Sequence, residues 1–233
     1  KAFSGEHNER ITASRPIGDY RKQSPLSSRY QARLDPQMRD ALRMFKQQGG
    51  SVFRLLFASV ALAQMSLEDA DGAVLQMPML NRWSKQEKQT VSMAVAPLML
   101  KVTRQSEASL LDYYDLLKKP MQQALVHARF SPAVRWQEIA PANLAHLAPA
   151  FGVSYQTGEF AAEVDGMPIQ IEHFQHVEPL LATFHIHDRF DSGDVRVEAD
   201  FRGVWTPQQC QAFIDHVVAQ ACCAISPKPE YMP

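Results

Sequence analysis

ATFHIHDRFDSGDVRVEADF, residues 182–201, decides how this chain is read. It places His185, His187, Asp188 and Asp191 within seven residues. Such a stretch is either a site for metal or proton chemistry or a polar strand surface. Phe184 and Ile186 alternate with His185 and His187, while Val195, Val197, Ala199 and Phe201 alternate with Arg196, Glu198 and Asp200. A period of two is the mark of half-buried β-structure. Asp191-Ser192-Gly193 between the two runs is turn chemistry. The expectation is a hairpin of Thr183–Phe190 with Val195–Phe201, with the histidines and charges together on an outer face that water reaches.

The metal alternative rests on His173, His176, His185 and His187 lying within 15 residues. A His-x-His strand puts two imidazoles on one face, with His173 or His176 as a third zinc ligand. The spacing matches no specific metal signature, so the polar outer face is the preferred reading and no metal is assigned.

Upstream, EFAAEVDGMPIQIEHF reads as another hairpin turning at Asp165-Gly166, and FGVSY (Phe151 to Tyr155) as a short strand. Downstream, Thr206-Pro207 opens a helix with Gln209 completing a capping box and Phe213, Ile214, Val217 and Val218 facing inward. At the other end of the chain, Ser28 to Leu34 alternates like a strand, and Asp35-Pro36 starts a helix that Gly49-Gly50 ends. Ser51 caps VFRLLFASVALAQM, which is apolar nearly all round and therefore expected between other elements. Ala73 to Leu80 and Val91 to Val102 read as interior strands covered on both faces, Pro97 demanding a bulge, an edge or a break. A long helix is expected from Ser106, kinked or split at Pro120. The fold class is α/β, a mixed sheet with packed helices. Residues 1–27 read as a linker or extended arm, 28–225 as one domain and 226–233 as a mobile tail.

The 233 residues are 45% hydrophobic and 21% charged, with a net charge of −1. That balance gives no electrostatic case for nucleic acid or an anionic membrane. No apolar run approaches the roughly 20 residues of a membrane span, and no signal peptide opens the chain. It opens on Lys1 rather than Met, as a fragment or processed product would. Cys210, Cys222 and Cys223 are not a disulfide framework and read as reduced thiols of a cytoplasmic protein. Trp83, Trp136 and Trp205 read as packing anchors, and Arg15, Arg21, Lys22, Arg29 and Arg33 as a solvated linker face.

Element order and motifs together resemble the C-terminal lobe of a nonribosomal peptide synthetase condensation domain, in the chloramphenicol acetyltransferase-like superfamily. The capped apolar helix leads to a strand ending PMLNR, with Asn81 and Arg82 at the turn. VSMAVAPLMLK (Val91 to Lys101) keeps the apolar pattern of the family's next strand, but Ser92, Ala94, Ala96 and Lys101 replace its glycine, phenylalanine, asparagine and arginine. His127 to Pro132 stands where the family's long helix ends. The resemblance implies one lobe of a two-lobed fold, paired with an N-terminal lobe. Together the lobes would join a carrier-tethered acyl thioester to an acceptor amine or hydroxyl. It implies carrier-protein domains as partners, their phosphopantetheine arms as the only cofactor, a tunnel wall at Asn81, Arg82, Ser92, Ala94, Ala96 and Ser154, and His127 near the lobe interface. The family's H-H-x-x-x-D-G is absent from this sequence, so no catalytic residue is assigned and the chain alone is expected to be inactive. His187 to Gly193 approaches it as H-x-x-x-D-S-G, but on a strand and turn after the lobe's strands rather than before them. A lobe parted from its companion leaves apolar surface bare, so self-association is expected. The other readings are a non-catalytic docking module and a small zinc protein.

Overall fold

The computed structural model describes residues 24–80, 82–90, 95–128, 149–157, 163–168, 177–188 and 195–226. Most of the expected linker and tail, and Asn81, Ser92, Ala94, Trp136, His173 and His176, lie outside these residues.

The chain begins with strand β1 (Ser27–Gln31), then helix α1 (Pro36–Gln47). The Asp35 carboxylate caps α1 by accepting from the Met38 N–H at 2.8 Å. Helix α2 (Val52–Glu68) is capped by Ser51, as its sequence predicts. Leu55, Phe57, Ala58 and Ala61 on different sides of α2 are all fully buried, the outcome expected of a helix without a polar face. The Ser59 hydroxyl donates to the Val217 carbonyl at 2.7 Å and pins α2 to the last helix, α6 (Pro207–Ile225). The Thr206–Gln209 capping box forms there as read from the sequence.

Strand β2 (Gly72–Leu80) leads through the short helix α3 (Lys85–Gln89) to β3 (Val95–Thr103). The expected long helix is two: α4 (Leu110–Leu116) and α5 (Lys118–Val126). Ser109 rather than Ser106 is the cap, because Glu107 has a positive φ of 60° that no helix continues. Pro120 sits in the first turn of α5, where its missing N–H costs nothing. Strand β4 (Phe151–Thr157) is followed by the two-residue strands β5 (Glu163–Val164) and β6 (Met167–Pro168), then β7 (Ala182–Asp188) and β8 (Val195–Arg202). Asp165 and Gly166 both have positive φ, 51° and 75°, as a tight Asp-Gly hairpin turn requires.

Six strands form one mixed sheet in the order β1-β8-β7-β4-β2-β3. The centre is parallel (β2, β4, β7) and both ends are antiparallel. Strand alternation sends Leu75, Met77, Val153, Phe184, Ile186, Val197 and Phe201 into one core with α2 and α6, where all are buried to 1% exposure or less. Phe151, Phe201, Trp205 and Phe213 pack ring to ring at its centre.

Strands β2 and β3 correct the expectation of two-sided burial. β3 is an edge strand, and burial along both alternates instead of running through. Pro78 lies opposite Pro97 in an unbroken ladder. Neither has an N–H, so this is a non-hydrogen-bonded pair, and the proline of β3 directs its missing donor to the free edge. That blunts the edge against a further strand.

Candidate functional site

Alternation that buries Phe184 and Ile186 puts Thr183, His185 and His187 on the sheet's other face, which carries no helix among the described residues. The same rule places Arg196, Glu198, Asp200 and Arg202 of β8 there, with Arg29 of β1. Register then assembles them: His185 lies opposite Glu198, His187 opposite Arg196, and Arg29 opposite Asp200.

The result is a closed ion network. Arg29 grips Asp200 with two bonds, Nε to Oδ1 at 2.8 Å and Nη2 to Oδ2 at 2.7 Å. His185 Nε2 reaches Oδ2 of the same carboxylate at 2.9 Å. Glu198 is shared by His187 Nε2 at 3.3 Å, Arg196 Nε at 3.4 Å and Arg29 Nη1 at 3.6 Å. The two imidazoles lie 6.5 Å apart, centroid to centroid, at 30°. Burial alone would raise the Asp200 carboxyl, but the bonds from Arg29 and His185 override it and hold it down to about 2. Glu198 is also held low, chiefly by His187.

The carboxylates and imidazoles are largely shielded, which corrects the expectation of a fully solvated face, while the Arg196 side chain stays 38% exposed. Asp200 has no exposed side-chain surface, and His185 and His187 keep only 13% and 11%. Arg29, expected on a solvated linker, is the residue on which the network turns. Beside it, the buried Glu178 carboxylate accepts the Leu180 N–H at 2.9 Å, and burial pushes its acid upward. Arg202 donates to the carbonyls of Ser24, Glu178 and Pro179 and so fixes the segment entering β1.

Chemically this arrangement holds charge in place. Asp200 stays ionised over the ordinary pH range and is occupied by three donors, so it neither supplies a proton nor has room for a ligand. Among the described residues no three His, Cys, Asp or Glu side chains converge on a point where a metal would sit.

Asp188 does not belong to the histidine face, although it follows His187 directly. Alternation turns it to the helix side, where it accepts from Lys46 Nζ of α1 and from the Tyr155 hydroxyl, each at 2.5 Å. Burial and this bond together push the Tyr155 phenol upward. No local pattern marks Lys46 or Tyr155 as partners of Asp188, because each is far from it in sequence and meets it only in the folded chain.

The other residues read from sequence scatter. Ser154 of β4 lies on the histidine face in register with His185. Arg82, just past β2, is half-buried. Ala96 was expected in a tunnel wall, but alternation on β3 buries it on the helix side. His127 is the exposed C-cap of α5. Trp205 is a packing anchor as expected, whereas Trp83 is 47% exposed. Burial pushes the Cys210 and Cys222 thiols up to about 11 and about 12, far from reactive thiolates, and Cys223 is exposed.

At the β2–β3 end the same face is mostly apolar. Val74, Pro78 and Leu80 lie beside Pro97, Val95 and Met99, with Gln76 opposite Met99 and the exposed Lys101 opposite Val74, and Leu80 and Val95, which face each other, are 62% and 54% exposed.

No protein-family model matches the sequence, and no curated protein is significantly similar to it. Solved structures do share its fold. The condensation domain from the monacolin K polyketide synthase MokA superposes with a TM-score of 0.76 at 15% identity, over 90% of this chain and 49% of that one. The first condensation domain of the CDA synthetase gives 0.65 at 16%, over 93% and 49%. The X-domain solved in complex with OxyB, from teicoplanin biosynthesis, gives 0.71 at 14%, over 94% and 53%. The chain thus has the fold of one lobe of a condensation domain and spans about half the length of the chains it matches. No helix among the described residues is long and apolar enough to cross a membrane.

Proposed function

We propose that this chain is one lobe of a condensation-type acyltransferase, acting with a second lobe to form an amide or ester bond. An acceptor amine or hydroxyl would attack a thioester held on a carrier domain's phosphopantetheine arm, and the thiol of that arm would leave. The carrying observation is the pair of coverages: nine-tenths or more of this chain against about half of the condensation domains it resembles. The absence of H-H-x-x-x-D-G from the sequence fits a lobe whose proton chemistry lies elsewhere. So does the state of His185 and His187, whose carboxylate partners are already held by arginine. In this reading the chain contributes a rigid wall and substrate alignment, and proximity accounts for much of the rate.

The test is a condensation assay with carrier-bound donor and acceptor. The 233-residue chain alone gives no product, and the polypeptide extended upstream in its reading frame to include H-H-x-x-x-D-G restores it. Turnover by the isolated chain overturns the reading.

A second reading, a docking module without catalysis, is favoured by one observation: a protein of this fold, the X-domain, is solved bound to another protein, OxyB. It predicts that the extended polypeptide lacks H-H-x-x-x-D-G and still binds a carrier or partner protein in calorimetry.

A further inference from the structure

Among the described residues β1 is an end strand of the sheet. An end strand turns half of its backbone groups toward whatever strand comes next, a common route to unwanted pairing between copies of a chain. Here the hydrogen bonds show which half. Ala32 donates its N–H to the Val197 carbonyl at 2.9 Å, and the Leu26 carbonyl accepts from the Gly203 N–H at 2.8 Å, so the even-numbered groups face β8. Backbone direction alternates along a strand, so the groups of Gln31 and Arg33 face the other way. Helix α6 answers both. Asp215 Oδ1 accepts the Arg33 N–H at 2.8 Å, and Gln211 Nε2 donates to the Gln31 carbonyl at 3.0 Å. The two side chains are also bonded to each other, Nε2 to Oδ1 at 3.0 Å. Four residues apart on one helix, they project side by side. Together they offer one acceptor and one donor where a neighbouring strand would offer a carbonyl and an N–H from two of its own residues. The opposite end strand, β3, is blunted within its own backbone by Pro97.

We infer that Gln211 and Asp215 form an edge plug: they fill the hydrogen-bonding places of a further strand and so keep a second copy of this chain from pairing along β1. A second copy is the strand always at hand, and β1 laid antiparallel on β1 is a closed two-fold contact. Charge would not prevent it, since Arg29, the one charged residue of β1, is already gripped by Asp200. The plug is independent of the one-lobe reading above.

Hydrogen exchange and sedimentation test it together. Gln211→Ala with Asp215→Ala, and separately Asp215→Asn, are placed in the 233-residue chain carrying Leu80→Ser and Val95→Thr, which keeps the apolar end of the sheet out of any association. At low concentration the Arg33 amide is expected to exchange more than about tenfold faster in the double-alanine variant, its acceptor being gone. In Asp215→Asn it keeps the parent rate, because the amide oxygen still accepts. At higher concentration the double-alanine variant is expected to dimerise, with the Arg33 amide protected again as the dimer forms, while Asp215→Asn and the parent do not. A double-alanine variant that stays monomeric overturns the inference. So does one that associates while the Arg33 amide still exchanges at its monomer rate, or an Asp215→Asn variant that associates equally. Both positions are partly exposed on α6, and Asp215→Ala alone gives the same readouts should the double variant fail to fold.

Discussion

On β7 and β8 this face of the sheet is ionic and largely shielded; on β2 and β3 it is mostly apolar and its end pair Leu80–Val95 is exposed. The two halves share one backbone geometry and one rule of alternation, so side-chain chemistry alone separates them. The ionic half carries its own partners: Asp200 has Arg29 and His185, and Glu198 has His187, Arg196 and Arg29. It needs nothing from outside. Among the described residues Leu80 and Val95 face each other and stay more than half exposed, and burial against another surface would stabilise this half by roughly 25 cal/mol per Å² covered. A polar-looking stretch is thus the self-sufficient region, and an ordinary apolar hairpin end is the one that looks outward.

The comparison breaks most sharply at Asp200. Asp200→Ala leaves the Arg29 guanidinium partly buried with its two best bonds gone and strands His185, a change expected to cost about 3–5 kcal/mol in urea unfolding. A loss below about 1 kcal/mol would mean the network is a solvated surface after all.

Acid titration probes the same half more gently. Asp200 has a folded pKa below its ordinary value, so its stabilisation is complete above pH 4 and is lost as pH falls toward 2. The gap is on the order of 2 kcal/mol, and Glu198 adds in the same direction. Glu178 acts oppositely: its raised acid favours folding at low pH and loses that contribution as pH rises through its folded pKa. Asp200→Asn should flatten the acid limb between pH 4 and 2; an unchanged limb would assign the acid sensitivity elsewhere.

Arg29→Lys sharpens the point, since an ammonium keeps the charge but loses the two-pronged grip. About 1 kcal/mol is expected, with a shift in the Asp200 titration visible by NMR.

The smallest effect belongs to the other half. Leu80→Ser with Val95→Thr should change the stability of the isolated chain by less than about 0.5 kcal/mol. Self-association in sedimentation should fall, because little is buried at these positions until a partner arrives. A large loss of stability would show that the chain covers them itself.

Much of the fold was legible in the residues. Asp35-Pro36, Ser51 and Thr206-Pro207 start helices because their side chains satisfy N–H groups that the helix cannot, a contact made within three residues. Asp165-Gly166 turns because both positions adopt positive φ. Alternation separated Phe184 and Ile186 from His185 and His187. Less legible was anything set by the neighbour across the sheet. Val91 to Val102 looked like an interior strand because its apolar run is long, and only the sheet order shows β3 at an edge. Arg29 looked like a linker charge because its partner lies 171 residues away.

The sequence by itself determined where α1, α2 and α6 begin, which strand residues are apolar and that a mixed α/β sheet is present. Those properties follow from contacts a few residues apart. The tertiary structure alone decided that His185 and His187 lie against the carboxylates of Asp200 and Glu198, that Asp188 faces the helices while its neighbour faces away, and that Leu80 and Val95 meet at the surface. Each depends on strand order and register, and shifting a strand by one residue would exchange every one of these faces.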